Sequence, residues 1–201
     1  MSWRSFPGPS RRCVGGPRRV RRVRGSCLRS RSPAESRQIA SALGEAIARV
    51  GVGEPLVIAL VGPLGAGKTE WVKGLAEGLG IDSRSVASPT FVIASEYSGR
   101  HGLAHVDLYR LESGAELEEV GFRDLLTAGA IVAVEWADRF PALLPTDHIE
   151  VTIRRARCGA ADDREIEIRA TGPETEQVVR AWRRLLEEQN AGAVAAPAAR
   201  E

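Results

Sequence analysis

The segment with the clearest chemistry is Gly62-Pro63-Leu64-Gly65-Ala66-Gly67-Lys68-Thr69, which fits G-x-x-x-x-G-K-[ST]. Its small residues let backbone N–H groups from Gly65, Ala66, Gly67, Lys68, Thr69 and Glu70 turn inward on phosphate oxygens, and a helix opening there adds the positive end of its dipole. Lys68 would reach the β- and γ-phosphates, and Thr69 would offer its hydroxyl to a Mg2+ ion bridging them. Lysine occurs only at 68 and 73, in a chain whose positive charge is otherwise arginine. A compact ammonium fits between phosphates inside a tight loop where a planar guanidinium would not. The bland alternative is a Gly-rich turn with an exposed lysine, which this composition would produce about once in several hundred chains.

A phosphate site of this kind needs a carboxylate at the end of a buried strand. The run Ala130-Ile131-Val132-Ala133-Val134-Glu135-Trp136 supplies Glu135 at that point, and Asp107 ends the run His105-Val106-Asp107-Leu108-Tyr109-Arg110. Glu135 is the candidate for holding Mg2+, and Asp107 for orienting water or the ion; a solvated strand-end acid is the alternative for each. Ser88-Pro89-Thr90-Phe91 stands where other nucleotide switches carry a γ-phosphate sensor, so Ser88 and Thr90 are candidates for a switch loop, against an ordinary Ser-Pro turn. Guanine recognition by an N-K-x-D sequence is excluded because the one asparagine is Asn190. ATP is therefore the expected nucleotide, by elimination.

The elements needed to position these groups are legible as periodicities. Ser32-Pro33-Ala34-Glu35 is a helix start, and Ile39, Leu43, Ile47 and Val50 recur at helical spacing up to Gly51. Leu56 to Val61 is a buried strand, the loop follows, and Trp71, Val72, Leu75 and Leu79 predict a helix that stops at Gly80. Thr90 to Tyr97, Leu103 to Leu108 and Ala130 to Val134 read as strands, with short helical pieces between Gly114 and Leu126. Ile149, Val151, Ile153, then Ile166 and Ile168, alternate with polar residues as an edge hairpin does. A last helix is expected after Thr171-Gly172-Pro173-Glu174, a second capping box, with Val178, Trp182 and Leu185 on one face. The fold class is α/β: a P-loop NTPase-like mixed sheet flanked by helices, closing with a β-hairpin and a helix.

At 201 residues, 43% hydrophobic and 27% charged, one globular domain is the expectation. The longest strongly apolar run is far too short to cross a membrane. Residues 1 to 32 hold ten of the 28 basic residues and no acid, leaving 18 basic against 26 acidic residues beyond, a body near −8. Residues 1–31 lack a periodic apolar face and are expected to stay unfolded, residues 32–190 to form the domain, and the Ala-rich residues 191–201 to fray. The basic extension reads as a targeting peptide, an RNA-touching arm or a start-codon artefact, with the artefact favoured. Cys13, Cys27 and Cys158 are odd in number and form no CxxC, so a reducing cytoplasm is expected.

Taken together, Gly62 to Thr69, Ser88-Pro89-Thr90-Phe91, His105-Val106-Asp107-Leu108-Tyr109-Arg110, Glu116-Leu117-Glu118-Glu119-Val120-Gly121, Glu135-Trp136 and Leu144-Pro145 resemble, in order and spacing, the bacterial TsaE family. The resemblance covers roughly residues 33 to 170. It implies an ATPase that works with the TsaB and TsaD proteins in making threonylcarbamoyladenosine beside the anticodon of tRNA, touching tRNA only through that complex. By similarity Lys68 binds phosphate, Thr69 and Glu135 hold Mg2+, Asp107 serves hydrolysis, and Trp136 with the 88–91 loop lies around the nucleotide. Many members carry a second hydroxyl residue after the loop threonine, where this chain has Glu70. A small-molecule kinase using Arg154, Arg155 and Arg157 as a lid, and a nucleotide-dependent binding switch with negligible turnover, are the competing functions.

Overall fold

The structure, a computed structural model, describes residues 26–51, 55–88, 94–113 and 131–195, with the separate positions 116, 122 and 124. Ser32 opens helix α1 (Pro33–Val50) as expected, its Oγ accepting from Glu35 N at 3.1 Å while the Glu35 carboxylate accepts from Arg31 N at 2.7 Å. Gly51, at φ 65°, ends it in the left-handed conformation that a glycine adopts without a Cβ penalty. Strand β2 (Leu56–Val61) then leads through the phosphate loop into helix α2 (Lys68–Gly78). The two helices pack backbone to backbone: a Cβ on Gly74 or Gly78 would collide with the carbonyl oxygen of Arg37 or Ser41.

Further strands are β1 (Ser26–Ser30), β3 (Ala94–Tyr97), β4 (Leu103–Asp107), β5 (Ile131–Glu135), β6 (Ile149–Arg155) and β7 (Arg164–Ala170), and helix α3 (Pro173–Ala195) closes the described chain. They form one mixed sheet in the order β1-β7-β6-β2-β5-β4-β3. The four central strands run parallel; β3 and β7 flank them antiparallel, and β1 pairs antiparallel with β7 at the edge. Alternation along the strands sorts side chains between two cores. Ile58, Leu60, Leu103, Ile131 and Ala133 face the three helices, with Trp71 and Trp182 fully buried among them. Val57, Ala59, Ala104, Val106, Val132 and Val134 face Leu108, Leu111 and Phe122 on the other side. Trp182 Nε1 donates to Ile39 O at 3.1 Å, which locks α3 against α1.

Four expectations change. The domain does not begin at residue 32, because residues 26–30 are a strand paired along their whole length with β7. Leu28 packs on the core and Ser30 is fully buried, bonded to Ser36 Oγ at 2.7 Å. The 149–168 hairpin is consequently internal, since β1 covers the edge that β7 would otherwise leave open. The last helix continues to Ala195, four residues beyond the expected start of fraying. Its start is capped from a distance: Asp147 accepts from Glu174 N at 2.9 Å and Thr175 N at 3.2 Å, while Thr171 Oγ1 turns into the preceding loop and accepts from His148 N at 2.7 Å. Of the 90–97 strand, residues 94–97 are described, and the 114–126 helical pieces lie almost wholly outside the described residues.

Candidate functional site

The site lies where the C-terminal ends of the parallel strands β2, β4 and β5 meet, as ligand sites of open α/β sheets do. Leu60 of β2 is in register with Glu135 of β5, and Glu135 with Asp107 of β4, so the two carboxylates stand side by side at the edge from which the loop departs. Between them and the loop is a cleft of about 320 Å3 whose walls include Gly65, Lys68, Thr69, Asp107, Glu135 and Trp136.

The loop has this shape because its glycines are needed. A Cβ on Gly62 would strike the Ile153 carbonyl oxygen of β6, and Gly67, at φ 103°, makes the left-handed turn that starts α2. Among the described residues no side chain caps α2, so its first amides are available to an anion. Arg164 reaches over from β7 and donates through Nε to Ala66 O at 2.9 Å, tying the loop to the hairpin.

Lys68 is buried and folded back on its own loop, donating to Gly62 O at 2.8 Å and Pro63 O at 3.2 Å. Its Nζ also lies 3.6 Å from the centre of the Trp136 ring. Burial pushes its pKa below the usual lysine value, opposed by the negative charges of Glu135, Asp107 and Asp138. Trp136 itself sits at φ 61°, the one non-glycine at positive φ among the described residues, and Tyr109 packs against its ring at 5.0 Å.

Thr69 Oγ1 donates to Glu135 Oε1 at 2.8 Å, joining the loop helix to the end of β5. The same oxygen lies 2.9 Å from His105 Nε2. Asp107 accepts from Ser88 Oγ through Oδ2 at 3.0 Å and from Tyr109 N through Oδ1 at 3.0 Å. Ser88 therefore reaches the site, whereas Thr90 lies outside the described residues. The Glu70 carboxylate is bonded to Arg37 at 2.6 Å and Lys73 at 2.9 Å. Burial alone would raise its pKa, but these two cations hold it below the usual range. Its charge is thus balanced by two cations on α1 and α2.

Among the described residues no three His, Cys, Asp or Glu side chains gather to hold a metal. Mg2+ takes one or two protein carboxylates and completes its octahedron with phosphate and water. The Thr69 hydroxyl and the Glu135 carboxylate, held together by the 2.8 Å bond to Oε1, bring hard oxygens side by side at the cleft, so the residues present fit that ion.

Three residues at the site were not singled out from sequence: His105, Arg164 and Tyr109. The parity of β4 was the available signal for His105, because alternate residues Leu103, His105 and Asp107 share one face. Arg164 had none, since only the long-range pairing of β7 brings it to the loop.

Sheet order, strand-end carboxylates and an uncapped helix behind a glycine-rich loop define a P-loop NTPase-like fold. A family model described as threonylcarbamoyl adenosine biosynthesis protein TsaE matches residues 30–166, and the chain belongs to this TsaE family. The "tRNA threonylcarbamoyladenosine biosynthesis protein TsaE" of Bacillus subtilis (strain 168) is 41% identical over 145 residues, covering 72% of this chain and 85% of the relative. That of Treponema pallidum (strain Nichols) is 39% identical over 101 residues, covering 50% and 74%. The crystal structure of Bacillus subtilis YdiB superimposes with a TM-score of 0.63 at 30% identity, over 82% of this chain and 98% of that one. No helix among the described residues is long and apolar enough to cross a membrane.

Proposed function

We propose that the chain is an ATPase, binding and hydrolysing Mg-ATP at the 62–69 loop, and that it serves threonylcarbamoyladenosine synthesis on tRNA together with TsaB and TsaD. The observation that carries the reading is the 2.8 Å contact of Thr69 Oγ1 with Glu135 Oε1 at the mouth of a cleft that also holds Lys68 and Asp107. Support for the pathway comes from the names of its relatives, and a cytoplasmic location is inferred with it, because tRNA and ATP meet there.

In this reading Gly65, Ala66, Gly67, Lys68, Thr69 and Glu70 bind the phosphates through backbone amides, and Lys68 exchanges its loop carbonyls and the Trp136 ring for phosphate oxygens. Mg2+, when bound, neutralises charge on the phosphates as the terminal group leaves. Thr69 and Glu135 would hold it. Asp107, beside Glu135 and bonded to Ser88, orients the attacking water and accepts its proton. Ser88, Thr90 and Trp136 form the switch around the nucleotide.

The test is to mix the protein with Mg-ATP alone, then with TsaB and TsaD, and to measure phosphate release. Turnover in either mixture, rising with the partners, supports the reading. Binding without turnover in both would make the chain a nucleotide-dependent switch, and phosphoryl transfer to a small acceptor would make it a kinase.

A further inference from the structure

We propose that His105 is a positioning residue for Glu135: its Nε2–H fixes one carboxylate oxygen so that the other faces the metal. The inference rests on the reading of Glu135 as a Mg2+ ligand and adds a residue to it.

His105 is fully buried in the middle of β4, and Glu135, on the neighbouring parallel strand, is only 4% exposed. The strand register sets His105 opposite Ala133, so the imidazole reaches along β5 to the next residue on the same face, which is Glu135. There His105 Nε2 stands 2.9 Å from Oε1. A carboxylate oxygen accepts, so the ring nitrogen facing it carries the proton and donates. The other ring nitrogen, Nδ1, has no partner among the described residues.

A buried polar ring with one unsatisfied nitrogen is costly, and the residues around it on this face, Leu103, Ile131 and Ala133, are apolar. Packing alone would be served better by a hydrocarbon. The one polar contact that offsets the cost is the one to Glu135.

Oε1 takes two donors, His105 and Thr69, and among the described residues Oε2 takes none. The two donors differ in kind. Thr69 stands at the start of α2, directly behind a loop whose lysine must leave its carbonyls to meet phosphate, whereas His105 is fixed within the sheet. His105 is therefore the donor that keeps the carboxylate in one orientation while the loop rearranges, leaving Oε2 presented to the cation.

The test compares His105→Gln, whose amide nitrogen can take the place of Nε2, with His105→Asn, which is too short to reach Oε1, and with His105→Leu, which has no donor. For each, binding of a fluorescent non-hydrolysable ATP analogue is measured without metal and across a Mg2+ titration, with melting temperatures and Glu135→Gln in the same series. Metal-free binding should match wild type in the His105 variants. The Mg2+ concentration at half effect should rise about 10-fold or more for Asn and Leu, and much less for Gln. If Glu135→Gln shifts the Mg2+ curve while Asn and Leu do not, His105 does not position the carboxylate. If Gln and Asn shift equally, the role is packing, and the proposal is overturned even where Leu fails to fold. An unshifted curve for Glu135→Gln would instead overturn the metal reading, and the His105 role with it.

Discussion

The Lys68 ammonium lies 3.6 Å from the centre of the Trp136 ring, so the cation that should meet phosphate is covered by an indole. Trp136 holds this position from a left-handed backbone that costs a non-glycine residue roughly 1–2 kcal/mol. A cation–π contact contributes about 0.5–2 kcal/mol, a term of the same size, and nucleotide binding that draws Lys68 onto phosphate would remove it.

Nucleotide binding should consequently change the emission of Trp136, since Trp71 and Trp182 are fully buried in the helical core. Titrating ATP while following tryptophan fluorescence should give a saturable change in wild type that disappears in Trp136→Phe. A change of undiminished size in that variant would show that another tryptophan reports the binding.

The strand Ser26–Ser30 gives a sharp boundary for truncation. Deleting residues 1–31 removes the β1–β7 pairing, the Ser30–Ser36 hydrogen bond and the Arg29–Asp163 ion pair. Together these should cost on the order of 2–4 kcal/mol, or about 5–15 °C in melting temperature. Deleting residues 1–25 touches none of these contacts and should leave the melting temperature within about 2 °C of wild type. Equal melting temperatures for the two truncations would show that β1 contributes nothing.

Asp147 predicts a pH dependence. Burial would raise its pKa, but the Thr175 hydroxyl and the amides of Glu174 and Thr175, with His148 nearby, hold it below the usual aspartate value. A lowered folded-state pKa means the stabilisation is complete above the unfolded value, about 4, and fades as pH falls through the folded one. Asp147→Ala should cost roughly 1–2 kcal/mol from pH 5 to 8, with the gap to wild type closing below about pH 4. Thermal melts across that range measure it, and a gap that widens in acid would refute the assignment.

The loop, its strand and both carboxylates were readable from the chain because each is local: a motif, an apolar run, and an acid at the end of such a run. What escaped was non-local. Ser26–Ser30 carries one strongly apolar residue, Leu28, too little for a period-2 signal, and becomes a strand only because β7 offers an edge more than 130 residues later. The cap on α3 misled for a similar reason: Thr171 stands in the right place locally, but the folded loop brings Asp147 closer and leaves the threonine to His148. Within the site, Thr69 and Glu135 were expected to share one ion, and the structure adds that the two side chains hydrogen-bond to each other directly at 2.8 Å.

The two carboxylates should separate in function. Glu135→Gln keeps volume but removes the charge that balances the cation, so metal-free ATP binding should survive. Hydrolysis should fall by about 100-fold or more, and the Mg2+ requirement should move to higher concentration. Asp107→Asn can keep its contact with Tyr109 N and should lose turnover with the Mg2+ dependence of binding unchanged. Identical Mg2+ curves for the two variants would refute the division of roles.

The most direct measurement is a calorimetric titration of Mg-ATP into the wild-type protein and Lys68→Ala. Wild type should bind one nucleotide saturably, and the variant, lacking the one ammonium in the loop, should bind about 100-fold more weakly or not at all. Equal affinity in the two proteins would contradict the assignment of the 62–69 loop as the nucleotide site.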